Sequence, residues 1–165
     1  MKHTFLLFFL MASAINAYEL IPSKENCDFY LELEQQQSCN IYTNYLKNYG
    51  FKYCNLFLQA KTNWQVPLQI WVEETAFCLQ EKLLEYHLEH INNNRQDYCY
   101  GLEKAAFASH PDCYKNNGFC QLSYDQQLKI VSKITNLDII LKPKKTLQQA
   151  LLIAVDCAKE TCNLL

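Results

Sequence analysis

Residues 66–91 read VPLQIWVEETAFCLQEKLLEYHLEHI, and the placing of their apolar members sets the fold class. Wound as an α-helix, Leu68, Trp71, Val72, Thr75, Cys78, Leu79, Leu83, Tyr86 and Ile91 lie close to one stripe. Pro67 suits the first turn, where a backbone N–H would have no intrahelical partner. Asn92, Asn93 and Asn94 then break the pattern. A helix this long must bury its stripe against other apolar faces, and its neighbours in sequence offer helical faces of their own.

Toward the N-terminus, Ser23 begins an S-x-x-N start, and a helix is expected from about Lys24 to Gln37. Ile41, Tyr42, Tyr45, Leu46 and Tyr49 suggest a second helix, ended by Gly50 in a left-handed cap. Tyr53, Leu56, Phe57 and Ala60 suggest a short third one. Toward the C-terminus, a helix from about Gln96 to Ser109 is expected to stop at His110-Pro111, because proline disfavours helical backbone in the residue before it. The segment HPDCYKNNGFCQL at 110–122 then reads as a loop containing an Asn117-Gly118 turn. Ser123 with Gln126, and Thr146 with Gln149, have the spacing of capping boxes for two further helices, separated at Lys142-Pro143. The reading is all-α: a single disulfide-rich helical domain of about six helices over residues 18–165.

Residues 1–17 read as a secretory signal peptide. Lys2 and His3 are basic, Phe5 to Met11 is an apolar run, and small residues surround Ala14 and Ala17. The run is far short of the roughly 20 apolar residues that span a bilayer. Cleavage after Ala17 leaves 148 residues with 14 basic and 17 acidic side chains, a net charge of −3. A mildly acidic chain argues against nucleic acid as a partner, because phosphate binding needs a basic stripe. The one basic cluster, Lys142, Lys144 and Lys145 around Pro143, reads as a solvated loop. Gly50, Gly101 and Gly118 are the only glycines, too few and too scattered for a phosphate-cradling loop or a dinucleotide fingerprint. No Asn-x-Ser/Thr acceptor occurs. The expectation is a secreted protein with no membrane span and no cofactor.

Export changes the meaning of the nine cysteines: Cys27, Cys39, Cys54, Cys78, Cys99, Cys113, Cys120, Cys157 and Cys162. In an oxidising compartment their default use is disulfide bonding. Cys78 should tie the long helix to another element, since a half-cystine needs its partner's Cα within about 7 Å. A local Cys113–Cys120 bridge around the Asn117-Gly118 turn is the one pairing that spacing suggests. Nine is odd, so one thiol lacks an intrachain partner. It is either a buried apolar group or bonded to a second chain or a small thiol, and Cys162 near the terminus is the best placed for a disulfide-linked dimer. Zinc is not expected: Cys157 and Cys162 form the only close pair.

Histidines supply the candidates for chemistry. His87 and His90 are three apart, so they project from one side of the long helix, yet the segment HLEH is not the H-E-x-x-H of a metalloprotease. Near a helix C-terminus they also meet the dipole favourably. His110-Pro111-Asp112-Cys113-Tyr114 is similar to the H-D-x-x-C-Y helix of secreted phospholipases A2, and Tyr98-Cys99-Tyr100-Gly101 to that family's calcium loop. The resemblance implies His110 as the base and Asp112 as the calcium ligand of a secreted hydrolase. The adjacent cysteine pair and the glycine-rich loop of that family are absent. No G-x-S-x-G elbow is present, and oxidised cysteines are not nucleophiles.

The final signal is aromatic. Tyr42, Tyr45, Tyr49, Phe51, Tyr53 and Phe57 crowd one stretch, as core or as an apolar pocket with hydroxyl handles. The leading expectation is a non-enzymatic secreted protein that binds a small apolar ligand or a protein partner, with no catalytic or metal residues. The alternatives are the phospholipase-like hydrolase and a disulfide-linked structural component. Non-reducing electrophoresis beside a Cys162→Ser variant tests the last: an intermolecular bridge gives a dimer band that the variant lacks, whereas a solitary thiol gives monomer in both.

Overall fold

The long helix forms as its stripe dictates and organises the chain around it. The computed structural model describes residues 19–141 and, beyond them, 153, 155 and 157. The leader at 1–17, the Lys142–Lys145 cluster, the Thr146 capping box and Cys162 lie outside the described residues. The fold is all-α and disulfide-rich. Among the described residues there are five α-helices: α1 (Asp28–Gln37), α2 (Lys52–Lys61), α3 (Val66–His90), α4 (Arg95–Asn116) and α5 (Tyr124–Leu141). Residues 153, 155 and 157 are helical as well.

Helix α3 starts on an extended Gln65 with proline in its first turn. It buries Leu68, Trp71, Val72, Thr75, Ala76 and Leu83. Residues 91–94 return the chain as α4, and the Asn94 side chain caps the new helix by accepting from Asp97 N at 3.0 Å. The two helices make an antiparallel hairpin, the most extensive helix pairing in the chain. Buried Gln80 of α3 then docks the N-terminal segment. Its Oε1 accepts from Ser23 N, and its Nε2 donates to Ser23 O, both at 2.9 Å.

Four disulfides join elements distant in sequence: Cys27–Cys54, Cys39–Cys99, Cys78–Cys113 and Cys120–Cys157. Cys78 does tie the long helix to another, α4. The suggested Cys113–Cys120 bridge does not form. Cys113 sits on the buried side of α4 facing α3, while Cys120, in a 3₁₀ turn (Phe119–Gln121), reaches Cys157. Each bridge contributes on the order of 2–4 kcal/mol, largely by restricting the unfolded chain.

Three local expectations give way to tertiary contacts. Ser23 does not open α1. Its Oγ accepts from Glu25 N and Asn26 N, closing a turn before the helix begins at Asp28. The 41–49 segment is not an α-helix. It is a 3₁₀ turn (Cys39–Ile41) followed by a π-helical turn (Leu46–Phe51) that runs into α2. Cys39 is bonded to Cys99, and Thr43 Oγ1 donates to the buried Glu103 carboxylate, which together hold this stretch against α4. Finally, α4 does not end at His110-Pro111 and residues 110–122 are not all loop; the helix continues to Asn116. Pro111 has no N–H to give Phe107 O. The last turn is retained because Cys113 is cross-linked to α3 and Tyr114 O accepts from Trp71 Nε1 at 3.2 Å. Gly118, at φ 92°, then makes the expected turn, and the Ser123–Gln126 capping box forms, with Ser123 N donating to Gln126 Oε1 at 2.9 Å.

The core is two clusters. One gathers Tyr30, Leu33, Leu46, Tyr98, Leu102 and Phe107 between α1, the π turn, α3 and α4. The other gathers Leu68, Trp71, Val72, Phe119, Ile130 and Ile153. Leu58 of α2 packs against both.

Gly50 is not a left-handed cap but a point of close approach. A Cβ there would lie 2.5 Å from two ring atoms of Tyr30, a residue only 2 % exposed. Gly50→Ala should therefore lower stability by about 1–3 kcal/mol. Gly101→Ala, which meets the hydroxyl end of the half-buried Tyr86 side chain rather than a buried ring, should cost less because alanine's helix propensity offsets it by about 1 kcal/mol. Urea midpoints of the two variants measure the ordering, and equal midpoints would contradict it.

Candidate functional site

Where the two halves of the core meet, side chains from five elements line a partly open cavity. Helix α3 presents Trp71, Val72, Thr75, Ala76 and Leu79, spaced so that all face one way. Helix α4 contributes His110 and Tyr114, one turn apart. Tyr30 comes from α1, Tyr45 and Tyr49 from the π turn and its flank, and Tyr53, Cys54 and Phe57 from α2. The space open to the centre of a water-sized sphere is about 50 Å³, so the void itself is larger by a water radius all round. It has room for a few waters or one small ring.

The walls are rings in stacked, tilted and edge-to-face contact. Tyr49 is the hub, 4.8 Å from Tyr53, 4.8 Å from Phe107 and 5.5 Å from Tyr45 between centroids. Trp71 stands 5.2 Å from Tyr114, and His110 5.7 Å from Tyr114. Two disulfides hold these walls. Cys27–Cys54 ties the start of α1 to α2, and Cys78–Cys113 ties α3 to α4; Cys54 is in the lining, and Cys78 and Cys113 precede Leu79 and Tyr114 of it.

The lining contains no Lys, Arg, Asp or Glu. Burial raises the phenol pKa of Tyr30 and Tyr45, and neighbouring tyrosine hydroxyls push in the same direction. His110 is held neutral, its pKa brought down to about 4 by burial, although a bond to the Ala106 carbonyl opposes this. That bond, 2.6 Å from Nδ1 to Ala106 O, places the ring proton on Nδ1 and leaves Nε2 as an acceptor. Thr75 Oγ1 is buried without a hydrogen-bond partner. The lining is thus uncharged and mostly apolar, with a few polar side chains among its residues.

The candidates from sequence fall out as follows. His110 lies in the cavity wall, while Asp112 is exposed, because positions two apart on a helix face different ways. The two are not brought together as base and metal ligand. Tyr98-Cys99-Tyr100-Gly101 is helical rather than a calcium loop. His87 and His90 do not form a metal pair. His87 is buried with Nδ1 2.8 Å from Tyr98 Oη, and burial lowers its pKa. His90 places Nδ1 2.9 Å from Tyr86 O and stacks on the Tyr86 ring at 4.1 Å. Among the described residues, no group of three His, Cys, Asp or Glu could hold a metal ion, and no helix is long and apolar enough to cross a membrane. Of the crowded aromatics, Tyr45, Tyr49, Tyr53 and Phe57 do line the cavity, whereas Tyr42 and Phe51 pack against the larger core cluster. Sequence reasoning missed Thr75 as a site residue, and Tyr30 and Tyr114. Thr75 read as one more member of the α3 stripe, where its one-polar-in-apolar character was the available signal.

The chain matches no protein-family model, no curated protein and no solved structure at a significant level. Its class rests on its own geometry: a disulfide-rich helical protein with a neutral, tyrosine-lined cavity.

His110 links the site to pH. Its folded pKa of about 4 lies below the unfolded value near 6.5, so the unfolded chain takes up the proton first. Stability should be full above pH 6.5 and fall as pH drops toward 4, by roughly 3 kcal/mol from this group. His87, shifted the same way, adds to the slope. Urea unfolding at pH 7 and pH 4.5 checks this, with His110→Gln expected to flatten the dependence.

Proposed function

We propose that the chain is a non-catalytic binding protein of the extracellular space, and that it acts by holding a small ligand in the tyrosine-lined cavity. The observation that carries this reading is the wall itself. Eight elements of chemistry that catalysis would recruit, the eight paired cysteines, are spent on cross-links, and the one histidine in the lining is neutral and anchored to a backbone carbonyl. What remains is a largely buried, partly open apolar surface with hydroxyls, its walls joined by two covalent ties. Fixing the walls in advance lowers the ordering cost of binding. The four disulfides also support an oxidising, extracellular location, as does the leader-like start of the sequence. The hydrolase alternative draws no support from the separation of His110 and Asp112.

A second reading has one observation in its favour. The four bridges use eight of nine cysteines, which leaves Cys162 for a bond to another chain. It does not compete with binding, since a linked pair would carry two cavities.

Ligand-observed NMR with a set of one-ring molecules tests the main proposal. Binding is expected for some members and should vanish in Ala76→Met, which puts a long side chain into the space, while far-ultraviolet circular dichroism stays unchanged. Binding that persists in the filled variant, or none by any member, would overturn it.

A further inference from the structure

We infer that Asn117 is a latent modification site: its side-chain amide converts to aspartate and isoaspartate when the last turn of α4 opens, and the fold keeps it unreacted while that turn is closed. This stands apart from whatever the cavity binds.

Asn117-Gly118 is the only asparagine–glycine step in the chain; every other asparagine precedes a larger residue. The following residue matters because its backbone nitrogen is the nucleophile, and a Cβ beside that nitrogen obstructs the attack. Gly118 N gives up its proton to hydroxide or a buffer base and bonds to Asn117 Cγ. The Cγ–Nδ2 bond breaks, the amide nitrogen takes up a proton and leaves as ammonia, and a five-membered imide remains. Water then opens the imide. Attack at the side-chain carbonyl gives aspartate, and attack at the backbone carbonyl gives isoaspartate. The sum is amide plus water to carboxylate plus ammonium, with no change of oxidation state.

The closed turn keeps the two reacting groups apart. Asn117 Nδ2 donates to Cys113 O at 2.8 Å, which directs the side chain back along α4 rather than forward onto Gly118. Gly118 N donates to Lys115 O at 2.9 Å, so the proton that must leave is already engaged. Asn117 N also donates to Cys113 O, at 3.3 Å. The acceptor of both Asn117 bonds therefore belongs to a fully buried residue that is cross-linked to Cys78 of α3. Pro111 deprives this part of α4 of a backbone bond, so its closure leans on that cross-link and on the bond from Trp71 to Tyr114 O. Ring closure needs the turn open, and its rate follows the open population.

Conversion is one-way. A carboxylate has no N–H to return to Cys113 O, and its charge meets the negative end of the helix dipole. Isoaspartate also adds a methylene to the main chain just before Gly118, at φ 92°, leads into the Phe119–Gln121 turn. That turn carries Phe119, 5.7 Å from Trp71 between centroids, and Cys120, bonded to Cys157. A molecule that has opened here thus keeps a covalent mark of it.

The disulfide-bonded protein, and the same protein reduced and alkylated, are incubated at pH 7.4 and 37 °C, and peptide mapping by mass spectrometry follows every asparagine. Asn117 is expected to convert fastest in the reduced chain and at least tenfold more slowly in the disulfide-bonded protein. Equal rates at Asn117 in the two forms, or another asparagine leading in the reduced chain, would overturn the inference. Asn117→Asp reproduces one product. Its urea midpoint should lie below the parent's at pH 7.4, with the gap narrowing at pH 3, where the protonated carboxyl can donate again; a variant that does not fold counts as the lower midpoint. A midpoint equal to the parent's at pH 7.4 would overturn the one-way mark.

Discussion

The packing of α3 on α4, pinned at Cys78–Cys113, is the constraint on which the rest of the structure depends. Contacts run the length of this hairpin. Near its turn, His87 meets Tyr98, and further along the Tyr86 hydroxyl reaches the Tyr98 carbonyl across the space left by Gly101. At its far end Trp71 donates to Tyr114 O. The bond between Cys78 and Cys113 carries α4 past Pro111, where local energetics favour stopping. Without that last turn, Tyr114 would not stand beside Trp71, and the cavity would lose a wall.

A cavity in a protein interior is costly, since its lining forgoes contacts that packing would supply. Two covalent ties oppose its collapse here, one between the start of α1 and α2 and one between α3 and α4. Gly50 works with them, admitting the Tyr30 ring against the backbone of the π turn so that the ring faces inward. The polar atoms of the lining are kept neutral by the same burial that encloses them. Phenols are pushed upward in pKa and the imidazole downward, so the space is uncharged across the physiological range.

Helical geometry decides which neighbours in sequence are neighbours in space. His110 and Asp112, two apart, diverge; His110 and Tyr114, four apart, meet in the same wall. His87 and His90 share a side of α3, yet each is engaged by a different group, Tyr98 for one and Tyr86 for the other. A motif written in residue order suggested hydrolase chemistry at 110–113. The tertiary arrangement turned its histidine inward and its aspartate out to water.

Much of this protein was determined by sequence alone. The period of residues 66–91, the small number of glycines, the Ser123–Gln126 capping box and the abundance of cysteine all led to an all-α, disulfide-rich chain, because these signals act over one or two helical turns. The density of tyrosine around 42–57 marked the region of the cavity for the same reason. Which cysteines pair, whether α4 survives Pro111 and why Gly50 must lack a side chain were decided only by tertiary structure. Each depends on a partner 20 to 60 positions away, as in Cys27–Cys54, Cys39–Cys99 and Gly50 against Tyr30, and no local preference encodes such a partner.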